Sequence, residues 1–201
     1  VDICFDVTDT RIETPRLVLR AFAAGDLADF FAYASVPDVG EMAGWPHHDS
    51  IEFSQKVWEF FLETKDNFAL WHKADRKVIG SLGLHESWAN SEEAYRRLKV
   101  KEIGYVLAKE YWGQGLMPEA VGAVIDYGFG MLGLEAFTCG HFMDNTQSRR
   151  VIEKCGFCYV RHDFFDATQL GKKVEEVRYI RLRDRADAPE SQADLTQKAE
   201  E

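Results

Sequence analysis

The residues with the most chemical content fall in two short stretches of the 201-residue chain. The first, Glu102-Ile-Gly-Tyr-Val-Leu-Ala-Lys-Glu-Tyr-Trp-Gly-Gln-Gly-Leu-Met-Pro-Glu-Ala120, reads as a strand, a glycine turn and a helix. Pro118 and Glu119 suit a first helical turn. A helix start presents unpaired backbone N–H groups and the positive end of a dipole, and Gly113 and Gly115 let an anion approach the backbone closely. That is a phosphate cradle, although a tight strand-to-helix turn with nothing bound would carry the same residues. The second stretch, Asp144 to Phe157, places Asn145, Ser148, Arg149 and Ile152 at i, i+3, i+4 and i+7 of a helix. An amide and a hydroxyl then point together beside the preceding strand. An N-cap role for Asn145 and a solvent-facing role for Ser148 are the plain alternatives.

Other motifs carry less. Gly128-Phe-Gly-Met-Leu-Gly133 matches a dinucleotide fingerprint by letters, but it follows a helix and precedes a strand, the reverse of the required context. It reads as a helix terminus. Cys155-Gly-Phe-Cys158 follows a helix, whereas a redox pair precedes one, and a zinc site there would need His141 or His162 as well. No metal site is expected. Phe53, Trp58, Phe60 and Phe61 read as core and substrate-side wall rather than a nucleic-acid stacking platform.

The elements that must position these residues follow from hydrophobic period. Leu17 and Leu19 alternate in an early strand after Pro15; a helix carries Leu27, Phe30, Phe31 and Ala34 from Gly25-Asp26; a second, capped by Ser50, carries Phe53, Val57, Phe60 and Phe61. Phe68 to Trp71, Val78 to Leu84 and Val100 to Leu107 read as strands. A helix after Gly115, a strand from Phe137 to Phe142, a helix from Asn145 to Lys154 and strands at Phe157 to Val160 and Val174 to Leu182 complete an α+β fold, its sheet mostly antiparallel and flanked by helices. Residues 1–10 read as an N-terminal extension, 11–185 as one domain, and 186–201 as a solvated, disordered tail with one leucine and no aromatic.

With 46% apolar and 13% aromatic residues the chain can bury one sizeable core. The net charge of −10 disfavours duplex binding, though the first ten residues hold −3 of it and the last sixteen −4. The apolar runs are too short to span a bilayer, and four cysteines are too few for a disulfide framework. A cytoplasmic, membrane-free enzyme is the expectation.

Taken together, Tyr-Trp-Gly-Gln-Gly-Leu-Met-Pro-Glu-Ala120, then Asp144-Asn-x-x-Ser-x-x-Val-x-Glu-Lys-x-Gly-Phe157, preceded by Glu13-Thr-Pro-Arg-Leu-Val-Leu-Arg20, resemble the GNAT superfamily of acyl-CoA N-acyltransferases, in its RimJ/RimL-type branch. The resemblance covers Arg11 to Asp184. It implies acetyl-CoA as acyl donor, with backbone groups of Val106 and Leu107 pairing with the pantetheine arm. Gln114, Gly115, Leu116 and Met117 would hold the pyrophosphate, and Asn145 would position the cofactor. Ser148 would protonate the leaving thiolate, since Ile152 stands where many relatives of the superfamily carry a tyrosine. Arg149, Arg150 and Lys154 are candidates for the 3′-phosphate. Trp45-Pro-His-His48 matches a branch pattern without an assigned role, and branch members often form homodimers.

An amine attacks a thioester only when neutral. An N-terminal amine has a pKa of about 8 and lysine about 10.4, so a base is useful for lysine and nearly optional for an α-amine. Glu102, on the strand face of Gly104 and Val106, is the candidate base, directly or through water, with His85 and Glu86 as runners-up. An exposed carboxylate in a charged run with Lys99 and Lys101 is its plain alternative. Gly104 marks a bulge or a close approach, and the Val106 N–H is a candidate oxyanion donor. The expected activity is acetyl transfer to a primary amine, either a protein N-terminus or a small amine; a non-catalytic CoA-binding module is the alternative.

Overall fold

The hydrophobic periods resolve into eight strands and four helices in the computed structural model, which describes residues 2–183. In chain order these are β1 (Ile12–Glu13), β2 (Leu17–Ala21), α1 (Leu27–Ala34), α2 (Ile51–Thr64), β3 (Asn67–His72), β4 (Lys77–His85), β5 (Val100–Leu107), α3 (Leu116–Gly130), β6 (Ala136–Phe142), α4 (Thr146–Lys154), β7 (Cys158–Ala167) and β8 (Lys172–Leu182). They form one sheet of order β1-β2-β3-β4-β5-β6-β8-β7, mixed and mostly antiparallel. Two elements differ from the sequence reading. The short β1 pairs with β2, and β7 runs on to Ala167 because it zips along the whole of β8 from Lys172 to Ile180. The tail expected at 186–201 lies outside the described residues.

Local chemistry explains the boundaries. Ser50 Oγ accepts from the Phe53 N–H at 3.2 Å and starts α2. Gly133, at φ +63°, turns the chain from α3 toward β6, so the glycine run does end a helix. The segment expected as an extension is tied into the core: Phe5 and Val7 are buried, the Val7 N–H donates to Lys65 O at 2.8 Å, and the buried Lys101 ammonium meets Asp2 at 2.8 Å.

One pairing decides the architecture. β5 and β6 are parallel neighbours, but their register covers only Val100 with Ala136, Lys101 with Phe137 and Glu102 with Thr138. Beyond Glu102 the two strands part, each keeping its outer partner, β4 for β5 and β8 for β6. Helices α3 and α4 cover the face that carries Tyr105 and Phe137; α1, α2 and the loop between them cover the face that carries His85 and Gly104.

Helix α3 lies close to the sheet because Gly128 has no side chain: a Cβ there would sit 2.3 Å from the ring of the fully buried Phe137. Gly128→Ala should therefore lower unfolding stability by about 1–3 kcal/mol, the usual cost of overpacking, as read from the urea midpoint. An unchanged midpoint would show that α3 can shift freely on Phe137.

Candidate active site

Parting β5 from β6 opens a continuous cavity of about 740 Å³ that runs through the sheet. Side chains alternate across a strand, so each strand feeds both sides of the opening. Tyr105 and Cys139 turn toward α4 and α3, while Glu102, Gly104 and Gly140 turn toward the α1 and α2 side.

The cradle forms as the residue types require. Gly113 and Gly115 both adopt φ +75°, a conformation that side-chain-bearing residues rarely take, and α3 begins at Leu116 with Pro118 inside its first turn. Gly113, Gly115, Leu116, Met117 and Pro118 line the cavity. The turn is clamped from the loop between β1 and β2: Glu119 accepts from Thr14 Oγ1 at 2.6 Å, the Arg16 N–H at 2.9 Å and Arg16 Nε at 2.7 Å, and Arg16 Nη1 donates to Gln114 O at 2.9 Å. Two motifs far apart in sequence thus become one structure. Gln114 itself is exposed, and its side chain donates to Glu110 O at 2.8 Å instead of facing the cavity.

Helix α4 presents a different face from the one the spacing suggested. Gln147, Ser148, Arg150, Val151 and Lys154 line the cavity; Ile152 is buried beneath, and Arg149 is engaged along the outside with Glu153 at 2.7 Å. On α4 the cations at the cavity are therefore Arg150 and Lys154, not Arg149. The backbone of β5 also departs from expectation. The Ala108 N–H donates to Ile79 O at 2.7 Å, and ladder alternation then directs the Val106 N–H at β4, opposite Ser81. The groups turned away from β4 belong to Ile103, Tyr105 and Leu107; the Leu107 carbonyl already accepts from Trp112 Nε1 at 2.8 Å, so its N–H alone stays in place as a pairing candidate, and Val106 does not supply an oxyanion donor.

On the α4 side, Ser148 Oγ lies 2.8 Å from Tyr105 Oη, a partner that sequence reading missed because a tyrosine within an apolar strand looks like core. Burial pushes the Tyr105 phenol well above its ordinary value, so it stays protonated, and its Oη also donates to Ser148 O at 3.3 Å. Asn145 is an N-cap, its Oδ1 accepting from the Ser148 N–H at 3.0 Å, and its Nδ2 donates to Met42 O at 3.3 Å, bridging to the loop before α2. It caps α4 and also lines the cavity.

On the other side, Glu102 is half-buried and accepts from Thr138 Oγ1 at 3.2 Å, which in turn lies 2.7 Å from Ser87 Oγ. Burial first, and then the nearby Glu176 carboxylate, raise its pKa. His85 folds back over the facing pair Gly83 and Gly104, so what approaches Gly104 closely is an imidazole and no bulge is present. Asp66 stands 3.4 Å from His85 Nδ1; burial opposes its ionisation, but hydrogen bonds from His85, Thr64 and Asn67 win and bring its pKa to about 2. Glu86 is exposed and outside the cavity lining. His48, from the Trp45-to-His48 pattern, is buried among Phe30, Trp45 and Phe53 with Nδ1 2.7 Å from Ser54 Oγ, and burial lowers its pKa, so it lines the cavity as a neutral ring. Cys155 is buried with its thiol pushed up to about 11, and Cys158 is exposed. Among the described residues no helix is long and apolar enough to cross a membrane.

Known proteins share this plan. Residues 16–158 match the family model described as an acetyltransferase (GNAT) domain. An uncharacterized N-acetyltransferase of Bacillus subtilis, YoaA, is 31% identical over 151 residues, covering 73% of this chain and 81% of its own. Among solved structures, a GNAT-family acetyltransferase from Bacillus anthracis superimposes with a TM-score of 0.74 at 22% identity, covering 87% of this chain and 99% of its own. The spermidine N-acetyltransferase of Vibrio cholerae, solved with CoA and spermine, gives 0.66 at 19% identity, with 85% and 97% covered. With the parted strands, the glycine turn and the matched sequence in agreement, this chain belongs to the GNAT acetyltransferase family.

Proposed function

We propose that the chain transfers an acetyl group from acetyl-CoA to a primary amine by direct attack in a ternary complex, within the RimJ/RimL-type branch. The observation that carries this reading is the division of labour across the parted strands. A carboxylate of raised pKa stands on one side, a serine hydroxyl held by a tyrosine on the other, and free main-chain groups of β5 lie between them.

The residues suit such a donor. The cavity, about 740 Å³, reaches from the start of α3 past the parted strands, the β5 groups that β6 leaves unpaired beyond Glu102 suit a strand-like partner, and a helix start with Arg150 and Lys154 nearby suits anionic phosphates. When bound, acetyl-CoA supplies a thioester carbonyl and, after transfer, a thiolate that needs a proton.

Glu102 accepts the proton that the ammonium must lose. Its raised pKa makes it a stronger base than an ordinary glutamate, which matters most for a lysine-like amine, whose deprotonation at pH 7 costs about 3 kcal/mol more than that of an α-amine. Ser148 returns a proton on the other side. Tyr105 Oη meets both Ser148 Oγ at 2.8 Å and Ser148 O at 3.3 Å, which fixes where the serine hydroxyl stands beside the cavity. Tyr105 is thus a positioning residue for Ser148.

Glu102 must be ionised to act, so kcat/KM should rise with pH through a limb lying above the ordinary glutamate value of 4.5. Glu102→Gln should abolish that limb and lower kcat/KM by about 10²–10⁴-fold. A group whose folded pKa is raised contributes stability that is lost as pH rises, so the same variant should melt above wild type at pH 8, the gap closing toward pH 4 as Glu102 becomes neutral. Thermal melts at both pH values check this; a variant that melts lower at pH 8 would contradict the burial of an ionised Glu102. Ser148→Ala and Tyr105→Phe should each lower kcat with little change in the acetyl-CoA KM, and the double variant should be no slower than Ser148→Ala alone. Following thiol release with a panel of amines tests the whole reading: acetyl-CoA binding without turnover of any amine would leave only the CoA-binding module.

A further inference from the structure

Glu176 on β8 is a carboxylate that the chemistry above does not use. Only 8% exposed, it lines the cavity with one oxygen directly over Gly140, where a Cβ would lie 2.5 Å from Oε1. Gly140 is therefore what lets this carboxylate reach the opening. The other oxygen, Oε2, accepts from Arg178 Nε at 3.0 Å.

From there an alternating chain leads outward: Arg178 Nη1 to Asp163 at 2.8 Å, Asp163 to Arg161 Nε at 3.1 Å, and Arg161 Nη2 to Glu92 at 2.8 Å. Both guanidinium groups stack on Trp88, 4.9 and 5.6 Å from the ring centre. This chain begins and ends on a carboxylate, three acids to two arginines, so it carries one negative charge in excess. Glu102 adds a second carboxylate to the same space, and each cavity carboxylate already has a neutral or cationic partner on its far side, Thr138 for Glu102 and Arg178 for Glu176. The remaining side of the pair faces the cavity, and what it wants is a cation.

The walls that share this side are apolar. Helix α2 buries only Ser54 fully; Val57, Phe60 and Phe61 line the cavity, and Phe60 remains 57% exposed. Trp45 and the tilted pair Phe142 and Phe165, with ring centres 5.6 Å apart, complete the wall. Lys56, exposed on α2, is the cation on this wall, and it would repel a second positive charge on an acceptor.

We propose that Glu176 is a specificity-determining residue that seats the acceptor's ammonium together with Glu102, and that the wall of aromatic side chains selects a primary amine carried on an apolar body over a polyamine. This rests on the amine-acetylating reading but does not need turnover to be tested. Calorimetry on the CoA-saturated protein with phenethylamine, phenethyl alcohol and spermidine reads the seat directly. Phenethylamine should bind more tightly than spermidine and than the neutral alcohol, and Glu176→Gln should weaken it by about 10- to 100-fold while leaving the alcohol and CoA affinities unchanged. Glu176→Asp, which keeps the charge, should retain most of the preference for amine over alcohol, guarding against a mere loss of fold. Equal binding of phenethylamine by wild type and Glu176→Gln, or tighter binding of spermidine, would overturn the proposal. Binding in the expected order without acetylation would leave the seat intact and sink the enzymatic reading instead. A hexapeptide beginning with phenylalanine, run in parallel, distinguishes a protein N-terminus from a small amine as the source of the same chemistry.

Discussion

Everything distinctive about this molecule depends on the failure of β5 and β6 to stay paired beyond Glu102. Backbone N–H and C=O groups in an interior demand partners, and leaving them without one costs as much as a lost hydrogen bond. A sheet that parts in its middle therefore has to be completed by something outside the chain, and the elements around the opening are arranged for that. The start of α3 closes one end, α4 stands beside β6, and the turn from Glu41 to Ala43 reaches across to Asn145. The outer strands hold the parting open, since β4 and β8 each bind one of the separated strands along its length.

The opening also sorts charge. Strand alternation sends Tyr105 to one side and Glu102 to the other from positions three residues apart, so a carboxylate and a pair of hydroxyls stand on opposite sides of the backbone groups between them. Keeping Glu102 half-buried beside Glu176 costs folding stability at neutral pH and makes it a better base. The cost is limited because Thr138 and the Trp88 N–H satisfy one side of Glu102 and Arg178 satisfies Glu176. This is the usual exchange of stability for reactivity at a functional site.

Much of this was legible residue by residue. The glycine turn, the Ser50 and Asn145 caps and the period of every helix announce themselves locally, because capping, φ restrictions and amphipathic spacing act over three or four residues. Other features misled for the same local reason. Arg149 shares the spacing of Ser148 but rotates outward to Glu153. The Val106 N–H is on the right strand with the wrong parity, and Gly104 answers to the ring of His85, folded back from the neighbouring strand. Tyr105, Asp66 and Glu176 gave no signal, because a tyrosine in an apolar strand and acids beside loops or in alternating strands have ordinary explanations.

By itself the sequence determined most of the elements, their order, the glycine turn and the family, since each rests on short-range propensity or on contiguous motifs. Only the tertiary structure decided which groups meet: Glu119 with Arg16, Ser148 with Tyr105, Glu102 with Glu176. The first of these pairs joins residues about a hundred positions apart and the last more than seventy, and which side chains face the opening depends on strand register. A shift of one residue in that register would exchange Glu102 for Lys101 or Ile103, and no local pattern encodes it.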